Sequence, residues 1–223
     1  MTRLLAEPFI ELDWIGDHTD EIWQRTREHV QLTLWAVVLG LLVSAVLAAV
    51  ALRFRWTYAP IRWVTGILYT IPSVALFGFL IPFTGLGFRT AEIALVSYTL
   101  LIIVSNIVTG VDGVSPAVKE AADGMGYTRW RRFFAIDLRL AVPAIVAGVR
   151  VASVTVVGLV TVAALVGEGG YGAMIFRAFR QNFFMTPIVV GVVCSVALAV
   201  VLDVIFVVVE RLLTPWARRG AHR

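Results

Sequence analysis

The sequence predicts an all-α membrane protein of five transmembrane helices, with its N-terminus outside and its C-terminus in the cytoplasm. Three observations carry that reading. Of 223 residues, 59% are hydrophobic and only 15% charged, whereas soluble domains carry about 25% charged residues; the mean hydropathy is +0.87. The apolar residues run in five stretches, each about as long as the ~20 helical residues that cross a ~30 Å hydrocarbon core. The cations fall in the gaps between those stretches, and unequally on the two sides.

The stretches are Thr33–Leu52, Trp63–Pro82, Ala91–Val111, Ala141–Val166 and Pro187–Val209. Lipid offers no partner to an exposed peptide group, so each is expected to be helical. The second carries Pro72 and Pro82 and several glycines, and a kinked or broken helix is expected there. Ahead of the first, residues 19–31 read as an interfacial helix. Thr19 would cap it, Asp20 and Glu21 would sit in its first turn, and Ile22, Thr26 and Val30 would share a face. His18 and His29 are expected to be solvated or interfacial, since a metal site needs several convergent ligands.

Orientation follows from the positive-inside rule. Arg53, Arg55, Arg62, Lys119, Arg129, Arg131, Arg132, Arg139, Arg211, Arg218, Arg219 and Arg223 fall on one side, twelve in all. Arg3, Arg25, Arg27, Arg89, Arg177 and Arg180, six, fall on the other. The richer side is cytoplasmic. The first thirty residues are acidic (Glu7, Glu11, Asp13, Asp17, Asp20, Glu21, Glu28), unlike the basic start of a cleavable signal. The basic balance is no nucleic-acid footprint, because it does not cluster on one polar face. The single cysteine, Cys194, reads as a small packing residue within an apolar run.

The gap between the third and fourth stretches is the most informative. Ser115 before Pro116 marks a helix start. A short helix through Ala117, Val118, Ala121 and Ala122 is expected to stop at Gly124 and Gly126. Thr128 would cap a second helix from Arg129 to about Leu140, with Trp130, Phe133 and Phe134 to one side. Two short amphipathic helices joined by a glycine turn form a knob that suits a groove on a soluble partner, or equally a loop lying on the headgroups.

Here the residues resemble a known family. Glu120-Ala121-Ala122-Asp123-Gly124-Met125-Gly126 resembles the EAA-x-x-x-G motif of ABC importer permeases, and Ile136 and Leu138 match the next part of the pattern. The family's following proline is absent: Arg139 stands there, and Pro143 comes four residues later. Residues 70–87, 98–128 and 163–179 are similar to permeases of osmoprotectant importers, and the likeness covers about residues 30–212. It implies the type I importer transmembrane fold in a bacterial cytoplasmic membrane. It also implies ATP-binding subunits seated on the loop through Glu120, Ala121, Ala122 and Gly126, an extracytoplasmic substrate-binding protein, and a second permease, copy or paralogue. Solutes such as glycine betaine, choline or carnitine are implied, with another small amine or amino acid as the alternative. The chain then divides into an external segment 1–30, a permease domain 31–212 with its coupling loop at 112–140, and a basic cytoplasmic tail 213–223.

Other chemistry lacks its residues. A phosphate loop needs Gly-Lys-Ser/Thr, yet the only lysine, Lys119, lies between Val118 and Glu120. No cofactor is expected, and ATP would be bound by a partner subunit. No His precedes Glu as a zinc protease requires, no G-x-S-x-G elbow occurs, and no metal site is expected. Gly167 to Gly172 fits G-x-G-x-x-G, but it follows an apolar span rather than a strand, so it reads as a flexible external turn. A passive channel or scaffold would need no coupling loop.

Two charges lie deep in the apolar stretches, Arg150 and Asp203. Arg150 follows Pro143 by seven residues and Asp203 precedes Glu210 by seven. At 1.5 Å per residue both stand ~10 Å above the inner face, and an intramembrane salt bridge between them is expected. Glu92, near the outer end of its span, is expected to be wet. Tyr98, Ser105 and Asn106 are candidates for the pathway or for helix–helix hydrogen bonds.

Overall fold

A computed structural model describes residues 10–215, and ten α-helices order them. They are α1 (Leu12–Asp17), α2 (Thr19–Arg53), α3 (Tyr58–Thr70), α4 (Ser73–Thr84), α5 (Phe88–Asp112), α6 (Pro116–Gly124), α7 (Arg129–Arg132), α8 (Leu138–Val162), α9 (Tyr171–Arg180) and α10 (Met185–Leu213). Four uninterrupted helical stretches are long and apolar enough to span a bilayer: α2, the stretch Arg129–Val166, α5 and α10. The pair α3 and α4 makes a fifth if counted as one broken span.

The break has a local cause. Ile71 and Pro72 take extended backbone (ψ 128° and 131°). Proline disfavours the helical conformation in the residue before it and supplies no amide hydrogen itself. Pro82, by contrast, lies inside α4.

The separate interfacial helix expected at 19–31 is not formed. Those residues are the opening turns of the 35-residue α2, because neither glycine nor proline interrupts the chain before Gly40. Thr19 is the first helical residue rather than a cap, and the Ile22 amide donates to the His18 carbonyl. Residues 1–9 and the arginines of 218–223 lie outside the described residues.

The chain forms two compact units, and the division falls within α2, α5, α8 and α10. One comprises Val37–Ile71, Val96–Thr155 and Val201–Arg223. Its core holds Ala48, Ala51, Ile103, Val104, Ile107, Val108 and Ala152. Small residues let its helices approach. A Cβ on Gly148 would stand 2.5 Å from the Asn106 Cβ, and one on Gly110 would stand 2.8 Å from the Ala144 Cβ. Positions 106 and 110 on α5 thus face 148 and 144 on α8. That is the small-residue spacing by which membrane helices gain contact without a hydrophobic drive.

The other unit comprises Met1–Ala36, Pro72–Leu95 and Val156–Val200. Phe77, Leu95, Val156, Val157, Val160 and Val166 are closed off in it. Its G-x-G-x-x-G segment is tightly packed rather than the loose turn expected. A Cβ on Gly172 would lie 1.9 Å from the Thr161 carbonyl oxygen, and Gly170, at φ +45°, abuts His29 and the Arg25 carbonyl.

Among the spans α10 is the least covered, with only 6% of its most apolar window buried against 44% for α5. Val193, Val196, Val200, Val204, Val208 and Leu212 all face outward from the chain, as suits a helix whose solvent is lipid.

Candidate functional site

The loop after α5 builds its knob from local rules. The Ser115 backbone is extended (ψ 132°) and Pro116 opens α6, but the Ser115 side chain makes no capping bond. Pro116 therefore sets the start alone, its fixed φ being ready for the first turn. At the far end Gly126 stands at φ +80°. The Met125 amide donates to the Ala121 carbonyl and the Tyr127 amide to the Ala122 carbonyl. This left-handed helix stop satisfies carbonyls that would otherwise be orphaned. Thr128 then caps α7, its hydroxyl accepting from the Arg131 amide at 3.4 Å.

The second helix of the loop does not end near Leu140 as expected. α7 passes through a π-helical turn, Phe133–Asp137, and runs on into α8. Arg139 stands where the family's proline would, so the helix is not stopped there, and it runs on through Pro143 inside α8.

Glu120, Ala121 and Gly126 are exposed, whereas Ala122 is wholly buried within the chain. The small size of Ala122 thus serves packing inside the knob, and only Ala121 of the pair offers itself to a partner. Around them Val118, Met125, Trp130 and Phe134 are exposed, Met125 by 69% and Trp130 by 68%. Trp130 stacks on Phe134 with centroids 6.2 Å apart.

One residue braces the knob, and sequence reading did not find it. Arg132 donates from Nη1 to Asp123 Oδ2 of α6, and its Nε lies 3.6 Å from Asp137 Oδ2 in the π turn. Asp137 is buried, and its Oδ1 has no hydrogen-bond partner. The guanidinium thus ties both helices of the loop to the foot of α8. The only sequence signal was an arginine nine residues after one aspartate and five before another.

Arg150 and Asp203 are brought together. Arg150 Nη2 donates to Asp203 Oδ2 at 2.8 Å and its Nε to Oδ1, a two-pronged contact. About a third of each side chain remains exposed (36% and 35%). The bond ties α8 to α10, the least covered span.

Tyr98 sits at the broken span. Its hydroxyl donates to the Ile71 carbonyl, which the break leaves without an intrahelical donor. Tyr69 meets its ring edge-on at 6.0 Å. Asn106 donates from Nδ2 to the Ile102 carbonyl of its own helix at 2.8 Å and packs under Gly148. Ser105 is half-buried. Tyr98 and Asn106 thus each satisfy a backbone carbonyl, Asn106 within its own helix rather than across helices.

Two expectations of exposure are reversed. Glu92 is buried (4% exposed) and neither carboxylate oxygen has a hydrogen-bond partner. His29 is fully buried. Its Nε2 donates to the Val157 carbonyl at 3.0 Å, leaving Nδ1 as an unpartnered acceptor, and its ring lies 4.7 Å from that of Tyr171. Position near a span end suggested water, but neighbouring helices cover both. His18 is half-buried, stacked on Trp14 at 4.2 Å.

Beside this cluster Arg25, Glu28, Glu168, Phe176, Arg177 and Arg180 line a cavity of about 430 Å³. Burial, and secondarily the Glu28 charge, holds the Glu168 carboxyl above the ordinary range. Among the described residues no cluster of His, Cys, Asp and Glu could hold a metal ion.

Residues 36–215 match the family of binding-protein-dependent transport system inner membrane components. The glycine betaine/carnitine/choline transport system permease protein OpuCB of Bacillus subtilis is 33% identical over 201 residues, covering 90% of this chain and 92% of that one. The choline transport system permease protein OpuBB of the same organism is 36% identical, covering 87% and 89%. The osmoprotectant import permease protein OsmW of Salmonella typhimurium is 32% identical, covering 92% and 97%. A chain of the MetNI methionine ABC transporter, solved in inward-facing form, shares the fold at a TM-score of 0.72 and 19% identity, over 92% of this chain and all of that one.

Proposed function

The chain belongs to the family of binding-protein-dependent transport inner membrane components, and from that premise we propose that it is the permease of an ATP-driven importer of osmoprotectants. The solutes are quaternary amines such as glycine betaine, choline or carnitine, which the names of relatives at 33% and 36% identity specify for those proteins. Two permease subunits, copies or paralogues, frame the pathway. A substrate-binding protein delivers solute from outside. ATP is held and hydrolysed by separate subunits seated on the coupling loops, and the permease needs no cofactor of its own. Closure of those subunits on ATP draws the loops together and turns the pathway from inward-open to outward-open.

The observation that carries the proposal is the braced knob. Glu120, Ala121, Met125 and Trp130 are exposed on two helices fixed by the Gly126 turn and by Arg132. A rigid knob with exposed apolar side chains and the Glu120 carboxylate beside them is what a groove on a soluble subunit can grip. A loop resting in headgroups would need no brace.

The test is reconstitution in proteoliposomes with its ATP-binding subunits and substrate-binding protein. ATP-dependent uptake of labelled glycine betaine, choline or carnitine is expected, unaffected by excess methionine or histidine. Uptake of an amino acid without any quaternary amine would move the assignment to the alternative substrate class.

A further inference from the structure

A cavity of about 410 Å³ opens where α2 ends and the coupling loop begins. Arg53, Arg55, Lys119, Arg129 and Arg132 line it, with Asp137 the one carboxylate. The acids nearby are already engaged. Asp112 takes the Arg55 guanidinium on both oxygens, at 2.6 and 2.8 Å. Asp123 and Asp137 both turn to Arg132. Arg53, Lys119 and Arg129 are left with no carboxylate partner among the described residues. Arg53 lies over the Phe54 ring at 5.0 Å, and Lys119 reaches only the Val111 carbonyl at 3.3 Å.

Three unneutralised cations round one cavity repel one another, and an anion placed between them would relieve that repulsion. The remaining wall is apolar, formed by Leu52, Val111, Trp130 and Phe133. Arg53 is the last residue of α2 and directly follows the first apolar stretch, so the cavity stands at headgroup depth. Trp56, next in the chain to the lining residue Arg55, is 77% exposed, as suits tryptophan at a membrane interface.

We propose that this cavity binds the phosphodiester headgroup of an anionic phospholipid of the cytoplasmic leaflet. The cations take the phosphate, and the apolar wall takes the glycerol and the first acyl carbons. Basic pockets between helices on this side of a membrane favour such headgroups. A zwitterionic headgroup would bring its ammonium group among the arginines, and a free phosphate would leave the apolar wall unused. The site goes beyond the transport assignment, and its occupancy is scored without reference to uptake.

The test uses the transporter assembled with its ATP-binding subunits, with phosphatidylglycerol as the probe and retained lipid read by native mass spectrometry. The wild type is expected to retain phosphatidylglycerol over phosphatidylethanolamine, and less of it as salt rises. The Arg53→Gln/Arg129→Gln pair is expected to lower retention about tenfold or more, and the Arg53→Lys/Arg129→Lys pair to keep most of it. Should the glutamine pair fail to assemble, Lys119→Gln alone is to give the same direction of loss. Equal retention by wild type and glutamine pair would overturn the proposal, as would equal retention of the two lipids. Displacement by millimolar inorganic phosphate would reassign the site to a soluble anion. Retention by the isolated permease but not by the assembly would overturn it too, since the ATP-binding subunit would then cover the cavity.

Discussion

Gly126 holds a φ of +80° with open space around the place a Cβ would occupy. A larger residue there meets no clash, only the cost of left-handed backbone, about 1–2 kcal/mol for an L-residue. Gly126→Val is therefore expected to insert and assemble normally while reshaping the α6–α7 turn. ATP hydrolysis and solute uptake measured in the same vesicles should part company, with hydrolysis retained and uptake lost. Undiminished uptake would remove the loop from the coupling path. Glu168 gives a second test, through pH. Its carboxyl binds a proton more tightly in the folded chain than in the unfolded one. The stability it lends is thus whole below the ordinary carboxylate pKa and fades as pH climbs through the raised folded value. Glu168→Gln keeps the shape without the titration. Its unfolding temperature should exceed that of the wild type at neutral and alkaline pH, and the two should converge in acid. At this scale the sequence was legible where chemistry is local. Pro116, Gly126 and Thr128 each act on their own backbone. It was silent where burial decides, because nothing near His29 or Glu92 in the chain announces the helices that cover them.

The helices meet through small residues rather than large ones. Gly148→Leu would drive a side chain into Asn106, where even a Cβ stands 2.5 Å away, and overpacking of this kind costs about 1–3 kcal/mol. A lower unfolding temperature in detergent is expected, with part of the loss recovered by adding Asn106→Gly. Failure of the double variant to recover anything would mean that the two positions are not coupled. The Arg150–Asp203 bond belongs to the same scale. Asp203→Asn and Arg150→Gln should each lower the unfolding temperature, and the double variant should lose less than the sum. The five apolar stretches located the spans, because a bilayer demands length and composition that no soluble core requires. The continuity of the helix at Thr19 with the first span and the π turn at Phe133–Asp137 were not foreseen. A hydropathy pattern marks where apolar residues end, not where hydrogen bonding does.

For the whole molecule the orientation is the premise on which coupling and the lipid site both stand. It rests on twelve cations against six. A Cys194→Ala background makes it measurable, with Glu120→Cys and Gln181→Cys as single reporters at exposed positions. An impermeant maleimide added to intact cells should label the second and spare the first until the membrane is opened. The reverse pattern would place the knob outside, beyond the reach of any nucleotide-bound subunit.

From Arg129 the chain winds without a stop to Val166, through the five-residue π turn, past Pro143 inside α8 and into the 3-10 turn Ala163–Val166. On the coupling reading proposed above, the short element that would receive the push, α7, is continuous with the span it would shift. A thrust at Trp130 would then enter that span directly, and the π turn and Pro143 mark where its hydrogen-bond ladder is altered on the way.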